Sequence, residues 1–106
     1  MKSWPVAPAL VLACSLPLFA SSKEQRARGA QLFTSSGCLH CHTIGNAGGH
    51  RGPNLSGVGR TVKKSAMRDH IVHGSQIMPA FGDVLDAQEI DDLVAYLRSC
   101  RAKSTR

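Results

Sequence analysis

The sequence predicts a small all-α domain, and three observations carry that prediction. Residues 87–100 repeat apolar side chains at Ile90, Leu93, Val94 and Leu97, the i, i+3, i+4, i+7 spacing of a helix face. No stretch alternates apolar and polar residues for long enough to make a strand. At 106 residues the chain has room for one domain, which excludes tandem units, a solenoid or a large catalytic domain.

The elements follow in chain order. Residues 1–22 read as a secretory signal peptide: Lys2 precedes an apolar run from Val6 to Ala20, and Ala20, Ser21 and Ser22 are small. Pro8 and Pro17 interrupt the run, which is shorter than the ~20 apolar residues of a spanning helix, so an uncleaved anchor fits less well. Val11-Leu12-Ala13-Cys14 loosely resembles a lipid-attachment box, with Leu12 a poor fit. Cleavage leaves residues 23–106 as the folded domain. A first helix is expected over 23–36, with Ala30, Leu32 and Phe33 on its apolar face and Gly29 one turn before Phe33. A second, shorter helix starts at Thr61 or Ser65 and ends at His73, where Gly74 suits a left-handed stop. Met67, His70 and Ile71 share one of its faces. The third helix covers 87–100. Asp86 caps it, Glu89 completes a capping box, and Leu85 with Ile90 forms a hydrophobic staple.

Composition then points to a bound group. Hydrophobic residues make up 42% of the chain, which excludes disorder, but aromatics only 5%. Removing the leader removes Trp4 and leaves Phe33, Phe81 and Tyr96 as the aromatics. A domain this short gains little stability from its own core and needs disulfides, a metal or a large cofactor. Cys38, Cys41 and Cys100 cannot all pair with one another. Two long loops, 44–59 with six glycines and 75–84 with Pro79 and Gly82, are of the kind that wrap something.

The chemistry sits at Cys38-Leu39-His40-Cys41-His42. The spacing C-x-x-C-H is the attachment signature of a c-type haem. Two cysteines three apart on a tight turn reach the two vinyl groups on one porphyrin edge, and the next residue offers an imidazole to the iron. A thioredoxin-like dithiol would need a βαβ context, and a zinc site would lack its second ligand pair. An export signal in the same chain agrees with haem attachment, which is made outside the cytoplasm. For the sixth ligand, Met67, Met78, His50, His70 and His73 are candidates. Met67 reads as core filler, and the histidines as surface or capping residues. Met78 sits in a loop before Pro79, which holds it out of the helical region. It is the preferred ligand, with a histidine or an open site as alternatives.

These pieces together resemble a small class I c-type cytochrome of the bacterial monohaem kind. The matching segments are Gly29-Ala30-Gln31-Leu32-Phe33, Cys38 to His42, Gly52-Pro53-Asn54-Leu55, Met78-Pro79-Ala80-Phe81 and Asp92-Leu93-Val94-Ala95-Tyr96-Leu97. They cover nearly all of residues 23–106 in the family's order. The resemblance implies three or more helices wrapped around one covalently attached haem, with Gly29 letting the first helix approach Tyr96 on the last. It implies that Cys38 and Cys41 hold the haem, that His42 and Met78 ligate the iron, and that the Pro53 carbonyl accepts the His42 Nδ1–H. It also implies that Arg60 lies near a haem propionate.

The function expected is outer-sphere electron transfer between exported redox partners in the periplasm, as in a respiratory chain, and not enzymatic turnover. A dehydrogenase or respiratory complex would be the donor and an oxidase the acceptor. Alternatives are a haem subunit held in a periplasmic dehydrogenase, or a gas-binding or peroxidatic haem protein with an open sixth site. The chain carries 13 Lys and Arg against 7 Asp and Glu, a formal +6. Asp83, Asp86, Glu89, Asp91 and Asp92 cluster without an intervening base, so charge is expected to be dipolar, with Lys63, Lys64 and Arg68 on a basic docking face. Nucleic acid is not expected as a partner, since no binding motif accompanies the basic charge. Cys100 is expected to be free, or to link a dimer of an otherwise monomeric protein, and the tail over 101–106 to be mobile.

Overall fold

In a computed structural model the described residues are 22–103, together with 3 and 5; the rest of the predicted export segment, with Cys14, lies outside them. Among the described residues there are four helices: α1 (Ser22–Ser35), α2 (Val58–Thr61), α3 (Lys64–His73) and α4 (Ala87–Ser99). A single 3-10 turn covers Cys38–His40. Among the described residues, the only strands are β1 (Thr43–Ile44) and β2 (Ala47–Gly48), a two-residue antiparallel pair. Sequence alternation could not reveal a pair so short. No helix among the described residues is long and apolar enough to cross a membrane.

α4 starts where its signals predict. The Asp86 carboxylate accepts the Glu89 backbone N–H at 2.8 Å, and the Glu89 carboxylate accepts that of Asp86 at 3.0 Å. Leu85 and Ile90, the staple pair, are both buried in the core. α1 packs on α4 more extensively than any other two elements pack. The approach is set by Gly29: a Cβ there would stand 2.6 Å from Tyr96 Cβ and 2.8 Å from the Asp92 carbonyl carbon. Beside this crossing, the Phe33 and Tyr96 rings tilt at 55° with centroids 5.7 Å apart, a favoured aromatic geometry.

The core joins Phe33 of α1, Met67 and Ile71 of α3, and Leu93, Val94 and Leu97 of α4. Met67 is 4% exposed, as a core methionine should be. α3 ends at Gly74, whose N–H reaches the His70 carbonyl at 2.8 Å; its φ of 65° favours glycine, but its ψ of −157° is not that of the expected left-handed stop.

Two expectations are corrected. Arg68, expected on the basic docking face, is paired with Asp91, and Asp92 pairs with Arg28 at 3.0 Å. Asp92 is only 3% exposed and also accepts from the Gln88 amide at 2.8 Å. Burial raises its pKa, but hydrogen bonds from Arg28, Gln88 and Gln25 and the Arg28 charge outweigh it, so the carboxyl titrates below its usual range. The tail, too, is pinned through residue 102. The Gly59 N–H donates to the Cys100 carbonyl at 2.8 Å and the Ala102 N–H to that of Ser56 at 3.0 Å. The Arg101 guanidinium donates to the Gly59 carbonyl at 2.6 Å. Cys100 is a free, half-buried thiol that donates to the Tyr96 carbonyl at 3.5 Å, and burial raises its pKa.

Candidate haem-binding site

The chain leaves α1 through Gly37, whose φ of 81° suits only a residue without a side chain, and enters the 3-10 turn. His42 N–H closes onto the Cys38 carbonyl at 2.9 Å, and Cys41 N–H onto the same oxygen at 3.3 Å. Cys38, Cys41 and His42 therefore share one tight turn. Both sulfurs are half-buried, and neither is in a disulfide. Burial pushes the Cys38 thiol above its ordinary value, the opposite of the activated thiolate a redox dithiol needs. Among the described residues no three His, Cys, Asp or Glu side chains gather to hold a metal ion, so the zinc alternative finds no ligand set.

The His42 ring is held from outside. Its Nδ1–H donates to the Pro53 carbonyl at 2.7 Å. Gly52 lies under the ring, where a Cβ would be 2.6 Å from Cε1 and 2.8 Å from Nδ1. The Gly52 N–H in turn donates to the Cys41 carbonyl at 2.7 Å. With Nδ1 occupied, Nε2 keeps its lone pair for a ligand.

Inside, one apolar cavity is lined by Phe33, Cys38, His42, Leu55, Ile71, Met78, Phe81, Leu93 and Leu97. Met78 reaches it from a loop fixed at several points. Met78 N–H donates to Ser75 Oγ at 3.1 Å, and Ser75 N–H returns to the Met78 carbonyl at 2.9 Å. Phe81 and Gly82 amides donate back to the Ile71 and Val72 carbonyls of α3 at 2.9 and 3.1 Å. The cavity thus offers a thiol, an imidazole nitrogen and a thioether within apolar walls. That donor set fits haem, a flat apolar group whose iron accepts soft and imidazole ligands.

A family model described as cytochrome c oxidase, cbb3-type, subunit III matches residues 24–97. Cytochrome c6 of Aphanizomenon flos-aquae is 32% identical over 80 residues, covering 65% of this chain and 83% of that protein. Cytochrome c of Kluyveromyces lactis is 31% identical over 105 residues, covering 74% and 94%. The chain belongs to the class I c-type cytochromes. The crystal structure of the c-type cytochrome SorU from Sinorhizobium meliloti shares its fold, with a TM-score of 0.65, 25% identity, and coverage of 79% of this chain and 99% of that one. The cytochrome's cofactor is covalently bound haem c, and its function is electron carrying.

The other predicted site residues are less centrally placed. Cys41 lies on the attachment turn but not on the cavity wall. Arg60 is exposed on α2 and, among the described residues, makes no side-chain hydrogen bond or ion pair. His70 and His73 are exposed on α3, and His50 is exposed beside the Thr43 hydroxyl at 3.4 Å. Thr43, buried next to His42, donates to the Gly49 carbonyl at 2.6 Å, a brace that sequence reasoning did not find. Its only signal is a polar residue following the motif, which is too common to read.

Proposed function

We propose that this cytochrome carries single electrons between exported redox proteins on a haem held by Cys38 and Cys41, with His42 and Met78 as axial ligands. The observation that carries the reading is that His42 and Met78 line the same apolar cavity while Met67 is packed in the core. The haem supplies an iron that cycles between Fe(III) and Fe(II). The protein's residues do the rest. The Pro53 carbonyl fixes the His42 tautomer and ring plane. The Ser75 bonds and Pro79 hold the Met78 loop, lowering the entropy lost by keeping its thioether in one place. Phe33, Leu55, Phe81 and Leu97 keep water from the cavity, and a thioether and an imidazole held to the iron would together favour the reduced state.

With His42 and Met78 both holding the haem iron, no open position would be left for a substrate, so the protein would act as a carrier and not an enzyme. Arg60 is the residue of α2 proposed to serve a propionate, in solvent. Residues 1–22 are proposed to direct export to the periplasm and to be removed there. A dehydrogenase or respiratory complex donates and an oxidase accepts.

The test compares Met78→Ala with Met67→Ala in the holoprotein. Met78→Ala should lower the reduction potential and let carbon monoxide bind the reduced protein readily. Met67→Ala should do neither and cost about 2–5 kcal/mol of packing. The reverse pattern would sink the ligand assignment.

A further inference from the structure

We infer that the C-terminal segment at Cys100, Arg101 and Ala102 is a positioning brace for the His42 imidazole, acting through residues 52–59. The inference rests on the reading of His42 as the iron's ligand and goes beyond it by assigning a task to the tail.

The path is continuous. His42 Nδ1–H is bound to the Pro53 carbonyl at 2.7 Å, so the ring is only as fixed as the segment that carries that oxygen. At its start, the segment is tied by Gly52 N–H to the Cys41 carbonyl at 2.7 Å. Leu55 N–H reaches the Thr43 carbonyl at 2.8 Å, and Ser56 Oγ accepts the Gly45 N–H at 2.8 Å. All three ties lead back to the attachment turn and its two-residue strand pair, which are themselves short elements. The ties to a rigid element run the other way. Gly59 N–H and Ala102 N–H join Ser56 and Gly59 to the chain leaving α4, and Arg101 adds its bond to the Gly59 carbonyl.

Contact geometry supports the same conclusion. A Cβ at Gly57 would lie 2.6 Å from the Ala102 carbonyl oxygen. One at Gly59 would lie 2.7 Å from the Arg98 carbonyl carbon and 3.0 Å from the Cys100 oxygen. The two backbones are in direct contact, so the segment cannot shift toward the tail, and the hydrogen bonds keep it from shifting away. Leu55, between Pro53 and this clamp, lines the cavity, and Leu93 and Leu97 of α4 face it there. The brace thus joins the ligand's holder to the helix that forms the cavity's other wall.

The experiment measures solvent exchange of the His42 Nδ1–H by NMR in the reduced holoprotein. A chain ending at Cys100, which loses the Arg101 and Ala102 bonds but keeps that of Gly59, should exchange this proton about tenfold faster. Arg101→Ala should give a smaller acceleration, and Arg101→Lys, which keeps a donor, should reverse most of it. Leu85→Ala, in the core just before the start of α4, should lower the melting temperature without accelerating this exchange. Unchanged exchange in the shortened chain and in Arg101→Ala, or equal acceleration by Leu85→Ala, would overturn the brace. His42 ring protons lacking the shifts of an iron ligand would instead overturn the reading on which the brace depends.

Discussion

Gly29→Ala sets two physical effects against each other, and the structure decides the sign. Helix propensity alone favours the change by about 1 kcal/mol, because glycine loses more backbone freedom in a helix than alanine does. The new methyl, however, would stand 2.6 Å from Tyr96 Cβ and 2.8 Å from the Asp92 carbonyl carbon. Carbon atoms are comfortable at about 3.5–4.0 Å, so α1 and α4 must part by roughly 1 Å at their crossing. The nearest atom is the Asp92 carbonyl oxygen, and Tyr96 Cβ is fixed to its own backbone, so no side-chain rotation relieves the clash. Parting the helices loosens Phe33 against Tyr96 and lengthens the Arg28 bonds to buried Asp92. Overpacking costs about 1–3 kcal/mol, more where backbone must move, so a net loss of about 2 kcal/mol is expected. For a domain of this size that lowers the melting temperature by about 8–16 °C. Thermal unfolding of the holoprotein, followed by far-ultraviolet circular dichroism, measures it. A melting temperature that rose by several degrees would show that propensity wins and that the crossing is not tight.

Three further outcomes are expected. Because the Asp92 carboxyl titrates below its ordinary value of 3.8, its ion pair stabilises the fold at neutral pH, and that contribution is lost as pH falls through the lowered value. Asp92→Asn should therefore be less stable than the parent at pH 7, with the gap closing in acid; a gap that stayed constant down to the lowest pH would contradict this. Asp86→Ala removes the cap of α4 and should cost about 1 kcal/mol in denaturant titration, where no change would deny the capping box its role. Electron transfer with an acidic partner should slow as ionic strength rises, and Lys63→Glu with Lys64→Glu should weaken that dependence; a rate indifferent to salt would remove Lys63 and Lys64 from the docking face.

What the sequence disclosed, and what it hid, divides by range of interaction. The Asp86–Glu89 box, the Gly74 stop and the helix face of Ile90, Leu93, Val94 and Leu97 are written within a turn or two, where geometry is fixed by spacing. Met67 and Met78 could be told apart because one lies on a helix face and the other precedes a proline. The motif residues Cys38 and His42 line one cavity with Met78, and the Pro53 carbonyl accepts the His42 Nδ1–H. Arg28–Asp92 and Arg68–Asp91 were invisible because the partners stand 64 and 23 residues apart, and charge counting cannot pair them. The fixing of Arg101 and Ala102 was missed for a related reason. Those bonds are mostly backbone, and a polar tail carries no mark of what its amides will meet.

The glycines at contacts between main chains have a consequence for how this protein can change. At Gly29 the obstacle is the Asp92 backbone, at Gly48 the His42 carbonyl, at Gly49 that of His40, and at Gly59 that of Arg98. When two side chains collide, a smaller residue on the opposite side restores the fit. Here the opposite side is peptide, which every amino acid shares, so no second substitution can make room. Lesions at these positions lack local suppressors, and a selection for revertants would return glycine at the same codon. Meanwhile the exposed faces of α1 and α3 stay free to vary, and divergence among such proteins would concentrate there.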